Sequence, residues 1–518
     1  MRAHRWKNFW AIFLLSAAIP SSAQTFASLI SFNDTNGRGP GSVLVQGLDG
    51  NLYGATALGG ENGDSCGYYG LSECGTVFNI TREGTLTTLL NFDNSEGSNP
   101  YAGLLLATNG DFYGTATGGA EKCGFVNECG TIFRVTSTGK LTVVYSFCGQ
   151  TNCADGIWPV AGLIQGTDGN LYGTTQQGGN YCPYYSGSCG TAFKITPDGK
   201  LTTLHQFCAQ NPPICTDGAI PLAGLTEGVD GSFYGTTTGG GSSGGGTVFK
   251  ITSTGKLTTL YSFCSQTNCT DGQEPSAGLL QAADGNLYGT TYGGGANLCY
   301  IGGCGTDFKI TPAGKLTTLY SFCSQSGCAD GSAPQAGLIQ GTDGELYGTA
   351  SQGGFYSPTC SYNNVGCGTV FKIGSSGVLT TLYTFCSQTN CADGAEPLAG
   401  LLQATDGNFY GTTTIGGGGT NHDCLSGGCG TVFSLSIGFG PFVSFVRRAG
   451  KAGQTGGILG QGFTGTTGVL LNGIPANFTV VSDTFLRATI PVGARSGYVT
   501  VMTPNATLRS NVPFYVIP

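Results

Sequence analysis

The sequence predicts an all-β chain: a seven-bladed β-propeller closed by a strand from the N-terminus, followed by a second, small all-β domain. Three observations carry that expectation. A Tyr-Gly pair recurs at Tyr53, Tyr113, Tyr172, Tyr234, Tyr288, Tyr347 and Tyr410, with spacings of 54 to 63 residues. Each copy holds four short stretches of strand character, and no stretch shows a sustained helical period. The seventh copy lacks its fourth stretch, and a match for it stands ahead of the first copy. A repeat of about 60 residues with four antiparallel strands is the unit of a propeller blade.

The third copy shows the elements in order. They are "AGLIQGT" (161–167), "NLYGTT" (170–175), "GTAFKIT" (190–196) and "KLTTLHQF" (200–207). Leu, Ile, Thr, Phe and Tyr fill them, and Gly, Asp, Asn and Pro bound them. Asp168-Gly169 is a hairpin signal, because tight turns favour positive φ. Gly173 is expected where neighbouring strands approach closely. The seventh copy stops after "CGTVFSLS" (429–436), whereas "FASLISF" (26–32) precedes the first. An N-terminal strand that completes the last blade closes a ring and removes open sheet edges.

Composition sets the class. Only 10% of the 518 residues are charged, and 92 are glycine without a Gly-X-Y period, which excludes collagen. With 39% apolar residues, including 29 Phe and 23 Tyr, the chain has material for a core. Residues 1–23 read as a secretory signal. Arg2, Arg5 and Lys7 precede the apolar run 9–19, and Ser21 and Ala23 precede Gln24. The mature protein is expected outside the cytoplasm, secreted, on the cell surface or in the periplasm. No membrane insertion is expected after the signal is removed. Loss of three cations takes the net charge from −8 to about −11, which argues against nucleic acid as a partner.

The 22 cysteines fall into eleven local pairs. Six lie between the second and third strands: Cys66/Cys74, Cys123/Cys129, Cys182/Cys189, Cys299/Cys304, Cys360/Cys367 and Cys424/Cys429. Five lie in the links between copies: Cys148/Cys153, Cys208/Cys215, Cys264/Cys269, Cys323/Cys328 and Cys386/Cys391. The fourth copy has "GGGSSGGGT" (239–247) in place of its first pair, and the first two links, 33–41 and 93–100, lack theirs. Cysteines vanish two at a time, as disulfides require in an exported chain. The spacings are not C-x-x-C, which disfavours zinc. In an up-and-down blade, both cysteine-bearing connections are loops that share one face, opposite the Asp-Gly turns. Long, variable connections of this kind are where binding function concentrates.

Residues 438–518 form the second domain, with "GGILGQGF" (456–463), "GVLLNGIPANFTVV" (468–481), "FLRATIPVGARSGYVTVMTP" (485–504) and "NVPFYVI" (511–517). This order resembles the IPT/TIG domain, which implies a small immunoglobulin-like β-sandwich acting as spacer or accessory binder. The repeated "DGNLYGTT", "CGTVFKIT" and "LTTLYSF" of residues 24–437 resemble the GloVer tandem repeat of exported bacterial proteins. That resemblance implies export and architecture, and no catalytic residues.

Candidate site residues follow from the cysteine-loop face. The links repeat "C-x-D-G-x-x-P", which places Asp155, Asp217, Asp271, Asp330 and Asp393 at equivalent positions, with Glu96 and Asn36 in the cysteine-free links. On a closed ring they form a circle able to hold a cation or polar ligand. The alternative is that each Asp caps its own turn. No EF-hand or RTX pattern supports calcium, and no cofactor is expected. Aromatic residues crowd the same loops: Tyr68, Tyr69, Phe125, Trp158, Tyr181, Tyr184, Tyr185, Tyr300, Phe355, Tyr356 and Tyr362. They suit stacking on sugars or docking a protein; the alternative is packing over the disulfides. Asp271 with Glu274 and Asp393 with Glu396 are pairs of the kind that glycosidases use, although their repetition argues against one asymmetric centre. His205 takes a slot held by Tyr145, Tyr261, Tyr320 and Tyr383, and His422 has no nucleophile motif beside it. Asp307 replaces the apolar residue of "GTVFKI". The reading favours an exported, non-enzymatic binding or adhesion protein with a glycan or protein ligand. A carbohydrate-active hydrolase or lyase, and a purely structural surface protein, are the alternatives.

Overall fold

The computed structural model describes residues 24–517, apart from 63–73, 94, 120–128, 180–188, 211, 213, 300–301, 358–359, 361–365, 419–423 and 425–427. The described residues are all-β, with no α-helix. Seven four-stranded antiparallel sheets repeat along the first 436 residues in a propeller-like arrangement. The third copy is typical. Ile164–Gln165, Leu171–Thr175, Thr191–Ile195 and Leu201–Gln206 pair in sequence order. The second strand is buried along its whole length and the fourth is mostly half-buried, so burial falls from the middle of each sheet outward. The turn between the first two strands places Gly169 at φ +85°, the left-handed region that the Asp-Gly pair favours.

The links correct one expectation. The sequence reads their cysteines as loop residues, yet Cys153, Cys269, Cys328 and Cys391 each end a single 3-10 turn. The turns are Thr151–Cys153, Thr267–Cys269, Ser326–Cys328 and Thr389–Cys391. Each is closed by an i→i+3 bond. Cys153 N donates to Gln150 O, Cys269 to Gln266 O, Cys328 to Gln325 O and Cys391 to Gln388 O, at 2.9–3.0 Å. The turns are irregular, because the central residue is left-handed. Asn152, Asn268, Gly327 and Asn390 hold φ between +56° and +67°, and the cysteine after each holds +50° to +52°. Asn and Gly tolerate that region best. The physical reason is length: a sequence separation of five between the paired cysteines leaves room for one tight turn and nothing longer. Three residues are too few to show a helical period, so no pattern in the sequence announces the turn.

One packing rule joins neighbouring sheets. The Phe that follows each fourth strand meets the Phe of the next copy's third strand, edge to face. Phe147–Phe193, Phe207–Phe249, Phe263–Phe308, Phe322–Phe371 and Phe385–Phe433 have ring centroids 5.1–5.3 Å apart. Phe92–Phe133 and Phe32–Phe78 repeat the contact. Such pairs contribute about 0.5–1.5 kcal/mol each beyond area burial. The strand glycine makes room for them. A Cβ on Gly173 would stand 2.7 Å from the Phe193 ring. The Gly of Tyr-Gly is therefore a seat for the phenylalanine of the adjacent strand.

The segment ahead of the first copy and the third strand of the last copy meet within one sheet. Thr25–Ser31 pairs antiparallel with Thr431–Ser436, and Phe32 then packs on Phe78 of the first copy. The last residue of most first strands reaches the turn of a neighbouring copy, usually the one before it in the chain. Gln165 accepts from Thr108 N–H, Gln281 from Val229, Gln340 from Ala283, Gln403 from Thr342, and Gln46 from Thr405, at 2.9–3.1 Å. Glu227 takes the same role toward Thr167, using both oxygens. The second copy departs, with Leu106 in that slot and Leu48 opposite.

Residues 444–517 fold into two four-stranded sheets and a short parallel pair around a core of Val443, Phe463, Leu486, Val501 and their neighbours. This domain rests on the Asp-Gly-turn face. Phe485 and Leu459 insert against Leu48 and Leu106, where the polar ring is interrupted. Thr484 Oγ1 donates to Leu48 O at 2.7 Å, Arg448 Nη1 to Gln281 O at 3.0 Å, and Phe442 N to Thr405 O at 3.1 Å. Arg447 and Asn511 add longer bonds to Thr167 O and Gln340 O.

Candidate functional site: the axial mouth on the disulfide-loop face

The two faces of the ring differ in what their side chains have left to offer. On the turn face the motif tyrosine donates to the aspartate four residues earlier. Tyr172–Asp168, Tyr347–Asp343 and Tyr410–Asp406 span 2.7–2.8 Å, and Tyr53, Tyr234 and Tyr288 repeat the bond at 2.9 Å. Burial, and then the aspartate partner, push these phenols above their ordinary pKa; Tyr234 reaches about 12. The second domain covers part of this face.

The opposite face carries the staples. Eight disulfides have both cysteines among the described residues. Five are in the links: Cys148–Cys153, Cys208–Cys215, Cys264–Cys269, Cys323–Cys328 and Cys386–Cys391. Three are in the loops between second and third strands: Cys299–Cys304, Cys360–Cys367 and Cys424–Cys429. Cys74, Cys129 and Cys189 are also disulfide-bonded, and no described cysteine is free. Cys66, Cys123 and Cys182 lie outside the described residues. In four of the link staples the second cysteine (Cys153, Cys269, Cys328 or Cys391) sits at the end of a 3-10 turn rather than in open loop. The link pairings hold; the backbone that carries them is more compact than a loop. Loop and link staples sit side by side: the sulfurs of Cys299, Cys323 and Cys328 lie within 4.8 Å of one another, as do those of Cys360, Cys367 and Cys386.

The five link aspartates are fully buried. Asp155 Oδ2 accepts from the Tyr145 hydroxyl at 2.8 Å and from Gly149 N–H at 3.0 Å, while Oδ1 accepts from Gln150 N–H at 3.3 Å. Asp271, Asp330 and Asp393 repeat this with Tyr261, Tyr320 and Tyr383 and gain a serine hydroxyl each. At Asp217 the phenol is replaced by His205 Nε2 at 2.8 Å. These carboxylates cap their own links, the second of the two arrangements the sequence allowed, and are not presented to solvent. Glu96 is half-buried beside Asp93; burial, then that neighbour, push its carboxyl up. Neither carboxylate pair is two exposed acids, because Asp271 and Asp393 are enclosed while Glu274 is exposed and Glu396 half-buried.

What the links do present is three residues further on. Gly39, Asn99, Trp158, Ile220, Glu274, Ala333 and Glu396 hold φ between +52° and +61°. Their hydrogen bonds explain it. Each N–H points back to the preceding copy: Trp158 to Cys129 O, Ile220 to Cys189 O, Glu274 to Gly245 O and Gly39 to Cys429 O, at 2.9–3.1 Å. Each carbonyl accepts from the end of its own copy's second strand, as Gln176 N to Trp158 O and Tyr292 N to Glu274 O. One residue thus stitches two sheets, and only a left-handed backbone reaches both. For six of the seven residues, all L-amino acids other than glycine, that conformation costs about 1–2 kcal/mol. A β-branched residue such as Ile220 is a marked outlier. Strain of this sort collects where function over-determines the backbone.

Two residues later, beyond the link proline, stand Gly41, Tyr101, Val160, Leu222, Ser276, Gln335 and Leu398. The first strands of neighbouring copies approach closely just beyond them: a Cβ on Gly103 would meet Val43 O at 2.8 Å and one on Gly400 would meet Gly337 O at 3.1 Å. Tyr101 and Val43 are exposed there, at 48% and 40%. A repeated frame therefore offers a different side chain at nearly every step. A recess of about 510 Å³ lies where the fourth copy lacks its disulfide loop. Ile220, Leu222, Glu274, Ser276, Tyr292 and Gln335 line it. Burial, then Glu274, push the Tyr292 phenol above its ordinary value.

Of the loop aromatics, Trp158 belongs to the left-handed ring, and Phe355 and Tyr356 are exposed at 53% and 50%. Tyr68, Tyr69, Phe125, Tyr181, Tyr184, Tyr185, Tyr300, Tyr362 and His422 lie outside the described residues. Sequence reasoning passed over Ile220, Leu222, Ser276, Tyr292 and Gln335. Their signal was present: they are positions that refuse to repeat inside segments that otherwise do.

The Gloeobacter/Verrucomicrobia repeat matches residues 17–182, 67–269 and 265–477. The chain belongs to that repeat family. No curated protein matches it. Among solved structures, the extracellular domain of a putative hybrid two-component system from B. thetaiotaomicron is similar at 10% identity and a TM-score of 0.49, over 86% of this chain and 45% of that one. The repeat protein thus spans less than half of that neighbour. A periplasmic gluconolactonase from Pseudomonas aeruginosa is similar at 14% identity and a TM-score of 0.40, over 74% of this chain and 99% of that one. A PQQ-bound aldose sugar dehydrogenase from Streptomyces coelicolor is similar at 14% identity and a TM-score of 0.37, over 80% and 99%. Likenesses this distant assign no chemistry to the repeat protein.

Proposed function

We propose that the seven sheets are blades of one closed propeller, that residues 438–518 are an IPT/TIG-like module seated on its turn face, and that the protein is an exported, non-enzymatic binding or adhesion protein. Its ligand is a glycan held at the axial mouth of the disulfide-loop face. The observation that carries this reading is the left-handed ring. Left-handed backbone is kept at seven equivalent positions, six of them non-glycine, yet the side chains there are chemically different. A frame built only for assembly has no use for that diversity. The disulfides support export, because such bonds persist in oxidising compartments. Enclosure of the link aspartates favours binding over hydrolysis, since among the described residues the exposed Glu274 is left without Asp271 as an opposed acid.

Retention on a glycan array, with product analysis on the same polysaccharides, tests the reading. Retention without turnover is expected. Turnover lost on Glu274→Gln identifies a hydrolase or lyase instead, and no retention on any glycan leaves a structural protein.

A further inference from the structure

We infer that the recess beside the fourth repeat is a subsite for a neutral sugar ring, an inference that rests on the binding reading above. The connection between the second and third strands of that repeat has nine residues, 238–246, against 14 to 19 in the other copies. It is also the copy without loop cysteines. Where the fifth repeat carries the Cys299–Cys304 staple, the fourth has only glycine and serine, and Ser243, Gly244 and Gly245 line the recess there. Its volume of about 510 Å³ is in the range of small-ligand sites, ~300–1,000 Å³.

The lining decides the ligand class. Ile220 and Leu222 supply an apolar wall. Gln273, Gln335, Ser243 and Ser276 are neutral groups that both donate and accept, as each hydroxyl of a polyol does. Glu274 accepts only, which suits a pair of sugar hydroxyls, and Tyr292 adds one ring face and one phenol. The Ser276 hydroxyl oxygen is buried without a partner within the protein. Lysine and arginine are absent from the lining, so an acidic sugar finds no counter-charge. A single aromatic ring does not build the cage that a quaternary ammonium group requires. A pyranose with neutral hydroxyls matches the apolar wall and the mixed rim together.

The full-length mature protein is titrated with neutral oligosaccharides (cello-, xylo-, manno- and malto-series), with oligogalacturonate as the acidic probe and chitosan oligomers as the cationic probe. Three variants accompany it. Ser243→Trp fills the mouth of the recess from an exposed loop position. Glu274→Gln removes the acceptor charge. Asp198→Asn changes an exposed acid on the turn before the fourth strand of the third repeat, outside the ring. The expected result is binding of at least one neutral series, lost with Ser243→Trp, weakened roughly tenfold with Glu274→Gln and unchanged with Asp198→Asn, all three variants melting as the unmodified protein does. Neutral binding unaffected by both Ser243→Trp and Glu274→Gln overturns the subsite and leaves the binding reading standing. Binding of only the acidic or only the cationic probe overturns the ligand class. No binding to any probe overturns both readings.

Discussion

Asp307 stands in the third strand of the fifth copy where other copies carry Val, Ile or Ala, between Thr290 on one side and Tyr320 on the other. It is fully buried, and neither carboxyl oxygen has a partner. Burial alone drives its pKa well above the ordinary 3.8. The folded chain therefore keeps a proton that the unfolded chain releases, and stability falls as pH rises above about 4. Asp307→Val should raise stability by about 1–3 kcal/mol and flatten this slope, while Asp307→Asn should flatten the slope alone. Thermal melts from pH 4 to pH 8 check both, and an unchanged slope in the asparagine variant would show that another group titrates. Glu274 makes the opposite point about the same scale. It holds φ +56° with an exposed side chain, so Glu274→Gly should gain up to about 1 kcal/mol of stability while abolishing glycan retention. A residue that strains its backbone and can be replaced with profit to folding is kept for another purpose.

At the scale of elements, five of the seven links are held by a buried aspartate together with a disulfide. Asp393→Ala strands the Tyr383 hydroxyl and the Ser387 and Gln388 amides, and should cost about 2–3 kcal/mol by chemical denaturation. Replacing both Cys299 and Cys304 by serine should cost about 2 kcal/mol, the value chain entropy assigns to so short a loop. The disulfide variant should lower stability without moving the sheets, since the Phe263–Phe308 and Phe322–Phe371 contacts lie on the strands themselves. Much of this scale was legible in the sequence. The four stretches of the third copy fall on its four strands, and the paired loss of cysteines pointed to the pairings that the structure shows. The 3-10 turns that end at Cys153, Cys269, Cys328 and Cys391 were not legible, because three residues carry no period. The capping role of the aspartates was one of two open readings, because a "C-x-D-G" link does not say which way a carboxylate turns. The burial that settles it comes from Tyr145 and its equivalents in the preceding strand.

For the whole molecule, the second domain seats where the ring's own pattern fails. Leu106 replaces the Gln or Glu whose side chain joins other copies, and Phe485 fills the resulting apolar spot beside Leu48. Restoring the repeat with Leu48→Thr and Leu106→Gln should complete the hydrogen-bond ring yet loosen the domain. Limited proteolysis near Gly438 should then release it, whereas the unmodified protein should resist. If cleavage is no faster, the bonds from Arg448 and Thr484 suffice to hold the domain without Phe485.

The sequence by itself determined the all-β class, the tandem repeat and the local pairing of the cysteines that the described residues show. All of these follow from local periodicity and turn chemistry, which a repeat states many times over. Only the tertiary structure decided which residues share the recess. Ile220, Glu274 and Gln335 are 54 and 61 residues apart along the chain and meet because successive sheets pack side by side. Only the tertiary structure, too, revealed that a nine-residue loop of glycine and serine leaves an opening. A missing disulfide reads in sequence as something lost, and in the fold the short loop that remains lines a recess.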